Sequence, residues 1–299
     1  MLCLLAGCGA SSQPATGPHL YLAGNGELWD VDVAGRQVRH ERESLLDVGN
    51  PPHRILARGG RLIMGSQYGD SAFFLPSVRP DRVWVVDIDP RFSIVRAVRE
   101  VTVDGVTVAP ATIPPRRRWP LGAVDDGLLL ATTHGLDVWD PRKGRVLRHL
   151  YVDPGTLGPT SGRVVLTCTD ADCRSVRFTD SESGAMRDVP APPGTQFEPW
   201  NGAFAPNGRL LAVPVHATRH GPRRLAIVDV PGSRVAVVPG SDVPGGYTLA
   251  TWSASGRDVF LTGGGAQSPR RVLLGYRLGA PRAQAINVDV GPFFDLAAI

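Results

Sequence analysis

The sequence predicts an all-β protein, a six-bladed β-propeller built from four-stranded antiparallel blades. A β-rich segment that ends in an aspartate and a turn recurs at intervals of about 50 residues along the 299-residue chain. A second type of β-hairpin precedes most copies, and helical periodicity is nearly absent. The 35 glycines and 27 prolines are spread along the chain, which indicates many turns and no single disordered block.

The chain opens with a short apolar run that ends at Cys8. The segment LAGC at residues 5–8 resembles the lipobox of bacterial lipoproteins. This resemblance implies a lipid on the Cys8 thiol, export, and anchoring on the outer face of the cytoplasmic membrane. A secretory signal normally starts with basic residues and has about 7–15 apolar ones. Since no Lys or Arg precedes Cys8, we expect residues 1–8 to be a truncated signal whose true start lies upstream.

Residues 9–18 are small, polar and rich in Gly and Pro, so they are interpreted as a flexible tether. Residues 19–299 form the predicted propeller. No stretch approaches the about 18 consecutive apolar residues of a transmembrane helix.

The recurring turn is held by an aspartate at the end of a β-rich segment, because a carboxylate there accepts hydrogen bonds from the next backbone N–H groups. We predict this structural role, and no catalytic one, for Asp30, Asp87, Asp140, Asp180 and Asp229. In a sixth, degraded copy the matching residue is Arg277. Tryptophans near three of these positions are predicted to pack between blades, and these are Trp29, Trp84 and Trp139.

The second hairpin type is clearest in AFAPNGRLLAVPV and TWSASGRDVFLTGG, where Asn-Gly and Ser-Gly are two-residue turn signals. Looser versions are GAVDDGLLLATT and ILARGGRLIMGS. One hairpin of each type gives the four strands of a blade. An extra blade containing EVTVDGVTVAPATI would make seven blades, which is the alternative. We interpret that segment as an extended outer hairpin because no Asp-turn copy accompanies it.

The two chain ends complement each other. The first copy begins near His19 and supplies three strands, whereas a surplus strand follows the last copy at about residues 292–298. Because an open ring would leave exposed sheet edges, we predict that this last strand becomes the innermost strand of the first blade.

The segment FAPNGRLLAV resembles the F-S-P-D-G-x-x-L-A hairpin of TolB-like and WD40-like propellers of exported bacterial proteins, and the VWD turns resemble their outer strands. The resemblance covers roughly residues 19–299. It implies the fold and almost nothing about function. The Gly-His pair of true WD40 repeats is missing, which favours the looser bacterial group.

Two of the four cysteines, Cys168 and Cys173, flank a Thr-Asp-Ala-Asp turn between β-prone segments. We predict that they face each other across a β-hairpin and form a disulfide, a bond that persists in exported proteins. The alternative, half of a metal site, lacks a second pair of ligands.

The net charge of +4 is mild, and the basic residues are almost all scattered arginines. This distribution argues against a nucleic-acid partner. The one basic cluster, residues 116–118, lies in a Pro-flanked loop that is either solvated or contacts anionic lipid headgroups.

No motif predicts a catalytic residue, a metal site or a cofactor. His216 and His220 have H-x3-H spacing, but Pro and Gly interrupt their surroundings, so we predict solvated loop histidines; a metal site is the alternative.

We therefore expect a monomeric, non-catalytic binding or scaffolding module for an envelope protein, peptide or glycan. The alternative is a propeller dehydrogenase, lyase or hydrolase. Three or more titratable groups meeting at the central channel would favour that enzyme.

Overall fold

The computed structural model describes residues 18–24, 27–34, 37–41, 54–58, 61–65, 72–89, 91–92, 94–264, 271–288, 290 and 295–299. The predicted all-β fold is confirmed: the chain forms a six-bladed propeller of antiparallel sheets. Helical structure in these residues is limited to three short 3-10 turns, namely Pro115–Arg117, Pro154–Thr156 and Pro199–Asn201. Cys8 and the predicted tether up to residue 17 lie outside the described residues.

Among the described residues up to 161, the strands follow in this order: β1 His19–Gly24, β2 Glu27–Asp32, β3 Gln37–Glu41, β4 Arg54–Arg58, β5 Arg61–Gly65, β6 Ala72–Pro76, β7 Arg82–Asp89, β8 Ile94–Thr102, β9 Pro120–Val124, β10 Gly127–Thr132, β11 Gly135–Asp140, β12 Arg145–Leu150 and β13 Leu157–Ser161. The second half contains β14 Val164–Cys168, β15 Ser175–Asp180, β16 Met186–Pro190, β17 Gln196–Phe197, β18 Ala203–Phe204, β19 Leu210–His216, β20 Arg223–Asp229, β21 Arg234–Val237, β22 Tyr247–Trp252, β23 Asp258–Gly264, β24 Val272–Arg277, β25 Gln284–Ala285 and β26 Asp295–Ala298.

From the innermost strand outward, blade 1 is β26-β1-β2-β3, blade 2 is β6-β7-β8 and blade 3 is β9 to β12. Blade 4 is β13 to β16, and blade 6 is β22 to β25. In blade 5 the innermost strand is interrupted, so that both β17 and β18 pair with β19, which β20 and β21 follow. The hairpin β4–β5 is a separate two-stranded sheet beside β26, whereas the sequence pattern assigned it to blade 2.

The ring closes as predicted. Strand β26 pairs antiparallel with β1, with Leu20 opposite Ala298 and Leu22 opposite Leu296. His19 and Ile299 exchange backbone hydrogen bonds of 3.2 and 2.9 Å on the same edge. The last residues of the chain therefore complete the first blade.

Residues 103–112 fold back along the outer edge of β8. The N–H of Thr102 donates to the carbonyl of Val106, and the N–H of Val108 donates to that of Glu100, each at 2.8 Å. Val98 and Thr112 exchange a further pair of bonds. This segment extends blade 2 outward as the fourth, outermost layer, in agreement with an outer hairpin.

Most clusters of buried hydrophobic residues in the described part of the chain join two neighbouring blades. Leu166 and Phe178 of blade 4 pack with Val213 and Val228 of blade 5. The three tryptophans lie where they were expected: Trp29 packs between blades 1 and 6, and Trp84 and Trp139 pack between blades 2 and 3. Since each buried large side chain contributes about 1.5–3 kcal/mol, these inter-blade contacts hold the ring together.

Three of the five aspartates bind their turns. Asp140 Oδ1 accepts the N–H groups of Arg142 and Lys143 at 2.9 and 3.2 Å. Asp180 Oδ1 accepts from Ser183 N at 2.7 Å, and this bond is the main cause that lowers the pKa of Asp180. Asp229 Oδ1 accepts from Gly232 N at 3.3 Å. Each of these carboxylates lies at the turn between the third and fourth strands of its blade.

The structure corrects the assignment for the other two. Asp30 accepts from His19 Nδ1 at 2.9 Å, while Asp32 accepts the turn N–H of Ala34. Asp87 lies 3.5 Å from Arg99 Nε, and the turn N–H of Arg91 donates to Asp89. The aspartate that binds the turn lies two residues later in both blades, because β2 and β7 each continue for two residues beyond the predicted end.

Candidate functional site

The two faces of the propeller carry different connections. One face, here called the upper face, carries the loops between the second and third strands and the links between blades. A pocket of about 800 Å³ opens on the upper face between blades 4, 5 and 6, and we call it the upper pocket. Its walls are the β14–β15 loop, the β19–β20 loop, the link that precedes β22, and the interrupted inner strand of blade 5.

A buried ion pair lies against the wall that blade 5 provides. Glu198 follows β17, and Arg223 is the first residue of β20; they are 6% and 5% exposed. Arg223 Nε and Nη2 donate to Glu198 Oε1 at 2.9 and 2.6 Å. Arg223 Nη1 donates to the carbonyl of Gly221 at 2.6 Å. The guanidinium is thus held by a carboxylate and by the loop, so that little of its charge faces the solvent.

His216 is the last residue of β19, and its Nε2 lies 3.4 Å from Glu198 Oε1. The side chain is buried, and this burial lowers the pKa of His216 although the Glu198 carboxylate opposes the shift. The imidazole is therefore neutral at neutral pH. The prediction of a solvated loop histidine is wrong for His216, because β19 extends to this residue and pairs it with Arg223. His220 lies in the exposed loop, as expected.

The rim of the upper pocket presents an exposed aromatic ring. Trp200 is 57% exposed and lies in the 3-10 turn Pro199–Asn201, between β17 and β18. Because this turn interrupts the innermost strand, the indole is not packed between blades as Trp29, Trp84 and Trp139 are. Arg219 and His220 contribute exposed polar side chains from the β19–β20 loop.

Glycine is required at one wall of the pocket. A Cβ at Gly245 would lie 2.4 Å from the carbonyl oxygen of Gly221 and 3.0 Å from Arg223 Nη1. The link that precedes β22 can therefore lie directly against the ion pair of blade 5. This contact joins the walls from blades 5 and 6.

The third wall contains the disulfide between Cys168 and Cys173, whose Cα atoms are 4.9 Å apart. The pairing is as predicted, but its position in the hairpin is not. Cys168 ends β14 opposite Val176, whereas Cys173 lies inside the loop with φ of 51°. The loop spans residues 169–174 because Asp170 Oδ1 accepts the N–H groups of Asp172 and Arg174. The Cys173 carbonyl accepts from Phe197 N at 3.0 Å, which joins this loop to blade 5.

Sequence reasoning singled out His216 and His220 from the residues around this pocket, and it predicted the disulfide of the loop that forms the third wall. It missed Glu198 and Arg223, whose pairing depends on strands that are distant in sequence. For Trp200 a signal was present: Pro-Trp-Asn-Gly is a turn sequence, and a tryptophan in a turn is often exposed. In the part of the chain that the structure describes, no three His, Cys, Asp or Glu side chains group as metal ligands would. The same residues include no helix long and apolar enough to cross a bilayer.

No protein-family model matches the sequence, and no curated protein matches it. Solved structures share the fold. TolB from Acinetobacter baumannii aligns with a TM-score of 0.51 at 13% identity, over 95% of this chain and 66% of TolB. The chain thus spans slightly less than two thirds of TolB. A candidate 6-phosphogluconolactonase from Bacteroides fragilis aligns with a TM-score of 0.58 at 11% identity, over 97% of this chain and all of that one. A Lactobacillus plantarum protein has the same TM-score and identity, over 95% and 99% of the two chains. At these identities the likeness concerns the propeller fold alone.

Proposed function

We propose that this protein is a non-catalytic binding module and that its ligand occupies the upper pocket. The observation that carries the proposal is the contrast between the buried and the exposed walls of the pocket. Glu198 and Arg223 form a buried ion pair with each other, whereas the indole of Trp200 is exposed to solvent. An exposed aromatic ring beside polar side chains favours recognition by stacking and hydrogen bonding.

The alternative, an enzyme, receives less support from the geometry. Glu198, His216 and Arg223 are three titratable groups, but all of them belong to blade 5. They do not converge on the central channel from several blades. The fold shared with candidate 6-phosphogluconolactonases keeps a hydrolase as the second possibility, and turnover of a bound ligand would identify it.

The ligand that we propose is a peptide or glycan of the cell envelope. A pocket of about 800 Å³ holds several residues or sugar rings, and its open rim suits an extended chain. We further propose that the protein is exported and held at the membrane by a lipid on Cys8. The lipobox resemblance supports the anchor, and a disulfide on the pocket wall is of the kind that persists in oxidising compartments.

The test is a screen of the purified protein against a glycan array and a displayed peptide library. Any ligand found should bind Trp200→Ala about tenfold more weakly, because stacking on the indole is lost. Phe92→Ala is the matched control, since Phe92 is 71% exposed on blade 2 and far along the chain from the pocket. Equal affinity of Trp200→Ala and the unmodified protein for every ligand found would refute the assignment of the pocket.

A further inference from the structure

We propose that a second pocket binds the oxyanion of a phosphate group through Arg79, Arg82 and Arg142. This pocket has a volume of about 490 Å³ and lies between blades 2 and 3. Arg79 lies in the β6–β7 turn, Arg82 is the first residue of β7, and Arg142 lies in the β11–β12 turn, so the pocket is on the face opposite the upper pocket. We call it the lower pocket.

Glu100 positions two of the three guanidinium groups. This residue of β8 is 1% exposed, and its Oε1 accepts from Ser77 Oγ at 3.0 Å. Its Oε2 accepts from Arg142 Nη2 at 2.6 Å and lies 3.5 Å from Arg82 Nη1. One buried carboxylate thus fixes an arginine of blade 2 beside an arginine of blade 3. Two guanidinium groups held in this way need no further ordering to bind an anion.

The charges of the lower pocket do not balance. Three arginines line the pocket, and among the described residues their guanidinium groups contact the buried carboxylate of Glu100 and that of Asp81, an exposed residue whose Oδ2 is 3.7 Å from Arg82 Nε. The nearby Asp140 accepts the backbone N–H of Arg142 and lies 3.5 Å from Lys143 Nζ. Arg82 Nε is buried and makes no hydrogen bond to any described residue. Arg79 is exposed; its backbone N–H donates to Ser77 Oγ at 3.2 Å, whereas its guanidinium makes no hydrogen bond or ion pair among the described residues. A pocket with excess positive charge matches the needs of an oxyanion.

Phosphate is the oxyanion that this geometry fits best. Arginine forks bind phosphate oxygens through paired N–H donors, and a phosphate offers enough oxygens for three arginines. The remaining wall consists of Val108, Ala109, Pro110 and Thr112, so it is mostly apolar. Because the pocket is larger than one phosphate ion, it has room for an organic group that carries the phosphate. A soluble phosphate ester and a phospholipid headgroup both have this chemistry.

A simpler role for the arginines is to clamp blades 2 and 3 together through Glu100. The two roles make different predictions for Arg79, which does not contact Glu100 in the structure. A clamp does not need the Arg79 side chain, whereas an anion site does. Arg79→Gln therefore separates binding from folding.

The experiment is calorimetric titration of the full chain with inorganic phosphate, against potassium chloride at equal ionic strength. Cys8→Ser serves as the background, so that no lipid is attached. We expect saturable binding at one site and a weakening of about tenfold in Arg79→Gln, because a charge-assisted hydrogen bond is lost. Arg257→Gln is the matched control: it removes the same charge from an exposed turn of blade 6. Absence of saturable binding, or equal affinity in the two variants, would overturn the proposal.

A second arm identifies the source of the phosphate group. The same proteins are sedimented with phosphatidylcholine vesicles that contain or lack phosphatidylglycerol. Sedimentation that requires phosphatidylglycerol and falls about tenfold in Arg79→Gln alone assigns the site to a lipid headgroup. Phosphate binding without sedimentation assigns it to a soluble phosphate. Either result supports an oxyanion site.

Discussion

Glu198 and Arg223 are two opposite charges that the fold removes from water together. Their side chains lie on neighbouring segments of blade 5 and meet through two hydrogen bonds to one carboxylate oxygen. Desolvation of both ions costs free energy, and their mutual contact offsets that cost only while both partners are present. The stability of the pocket wall should therefore depend on the pair and not on either residue alone.

We predict that Arg223→Met lowers the free energy of unfolding by about 3 to 5 kcal/mol, because it leaves the Glu198 carboxylate buried without its partner. The combined variant Glu198→Gln with Arg223→Met should be more stable than Arg223→Met, since it buries no net charge. Urea unfolding followed by circular dichroism measures both.

Arg224→Met is the control for that comparison. Arg224 is the next residue of the same strand, so its side chain lies on the opposite face of the sheet. We expect it to change stability by less than about 1 kcal/mol. If Arg223→Met were no more harmful than Arg224→Met, the buried pair would not stabilise the wall.

At the residue scale, the sequence predicted what depends on neighbours along the chain. Asp140, Asp180 and Asp229 accept turn N–H groups that lie two or three residues later, so a local pattern was sufficient. The Glu198–Arg223 pair joins residues that are 25 positions apart. No local sequence pattern predicts a contact between residues so far apart, because the contact depends on how three strands of one blade are aligned.

The β14–β15 loop is an element whose shape depends on a covalent bond. Cys173 adopts a left-handed backbone conformation that residues other than glycine rarely take. The disulfide to Cys168 and the bond from Cys173 N to the Asp170 carbonyl hold it there. The loop in turn holds Phe197 through the carbonyl of Cys173.

We predict that the variant with Cys168→Ala and Cys173→Ala loses about 2 kcal/mol of stability, as the chain-entropy relation gives for so short a loop. Dithiothreitol should destabilise the unmodified protein by a similar amount and leave the double variant unchanged. Urea unfolding with and without reductant measures this. An unmodified protein whose thiols are shown to be reduced and whose stability is unchanged would contradict the prediction.

At the element scale, short turn sequences predicted tight turns correctly, whereas the assignment of strands to blade 2 was wrong. Asn207-Gly208 and Ser255-Gly256 form the predicted tight turns, and both glycines have the positive φ that such turns require. The pattern nevertheless joined the β4–β5 hairpin to the strand that contains Asp87. In the structure that strand is the second of blade 2, because residues 103–112 provide the outermost layer. Spacing alone did not reveal that β7 is the second strand of its blade and not the third.

At the scale of the whole molecule, the repeat interval and the unmatched first and last strands were sufficient to predict a closed ring. The location of the upper pocket was not predictable, because it depends on which inner strand is interrupted. Likewise, the lower pocket depends on a buried glutamate between two blades. The arrangement of the blades around the ring brings together the side chains that line both pockets.

We predict that the gene product is labelled by a clickable fatty acid in a bacterial host and that Cys8→Ala abolishes the label. Cys3→Ala is the matched control, since Cys3 precedes the proposed lipobox and would be lost with the proposed signal. In-gel fluorescence of the labelled protein measures the effect. Equal labelling of Cys8→Ala and Cys3→Ala would refute the anchor.

The pairing of β26 with β1 sets the order of events during biosynthesis. The first blade cannot acquire its inner strand until the ribosome has added residues 295–299, because these residues pair with β1. Until then the hydrogen-bonding edge of β1 is open to a wrong partner, including the same strand of another nascent chain. A reporter domain inserted after residue 299 should therefore be preceded by a spacer, which leaves residues 295–299 free to reach that edge.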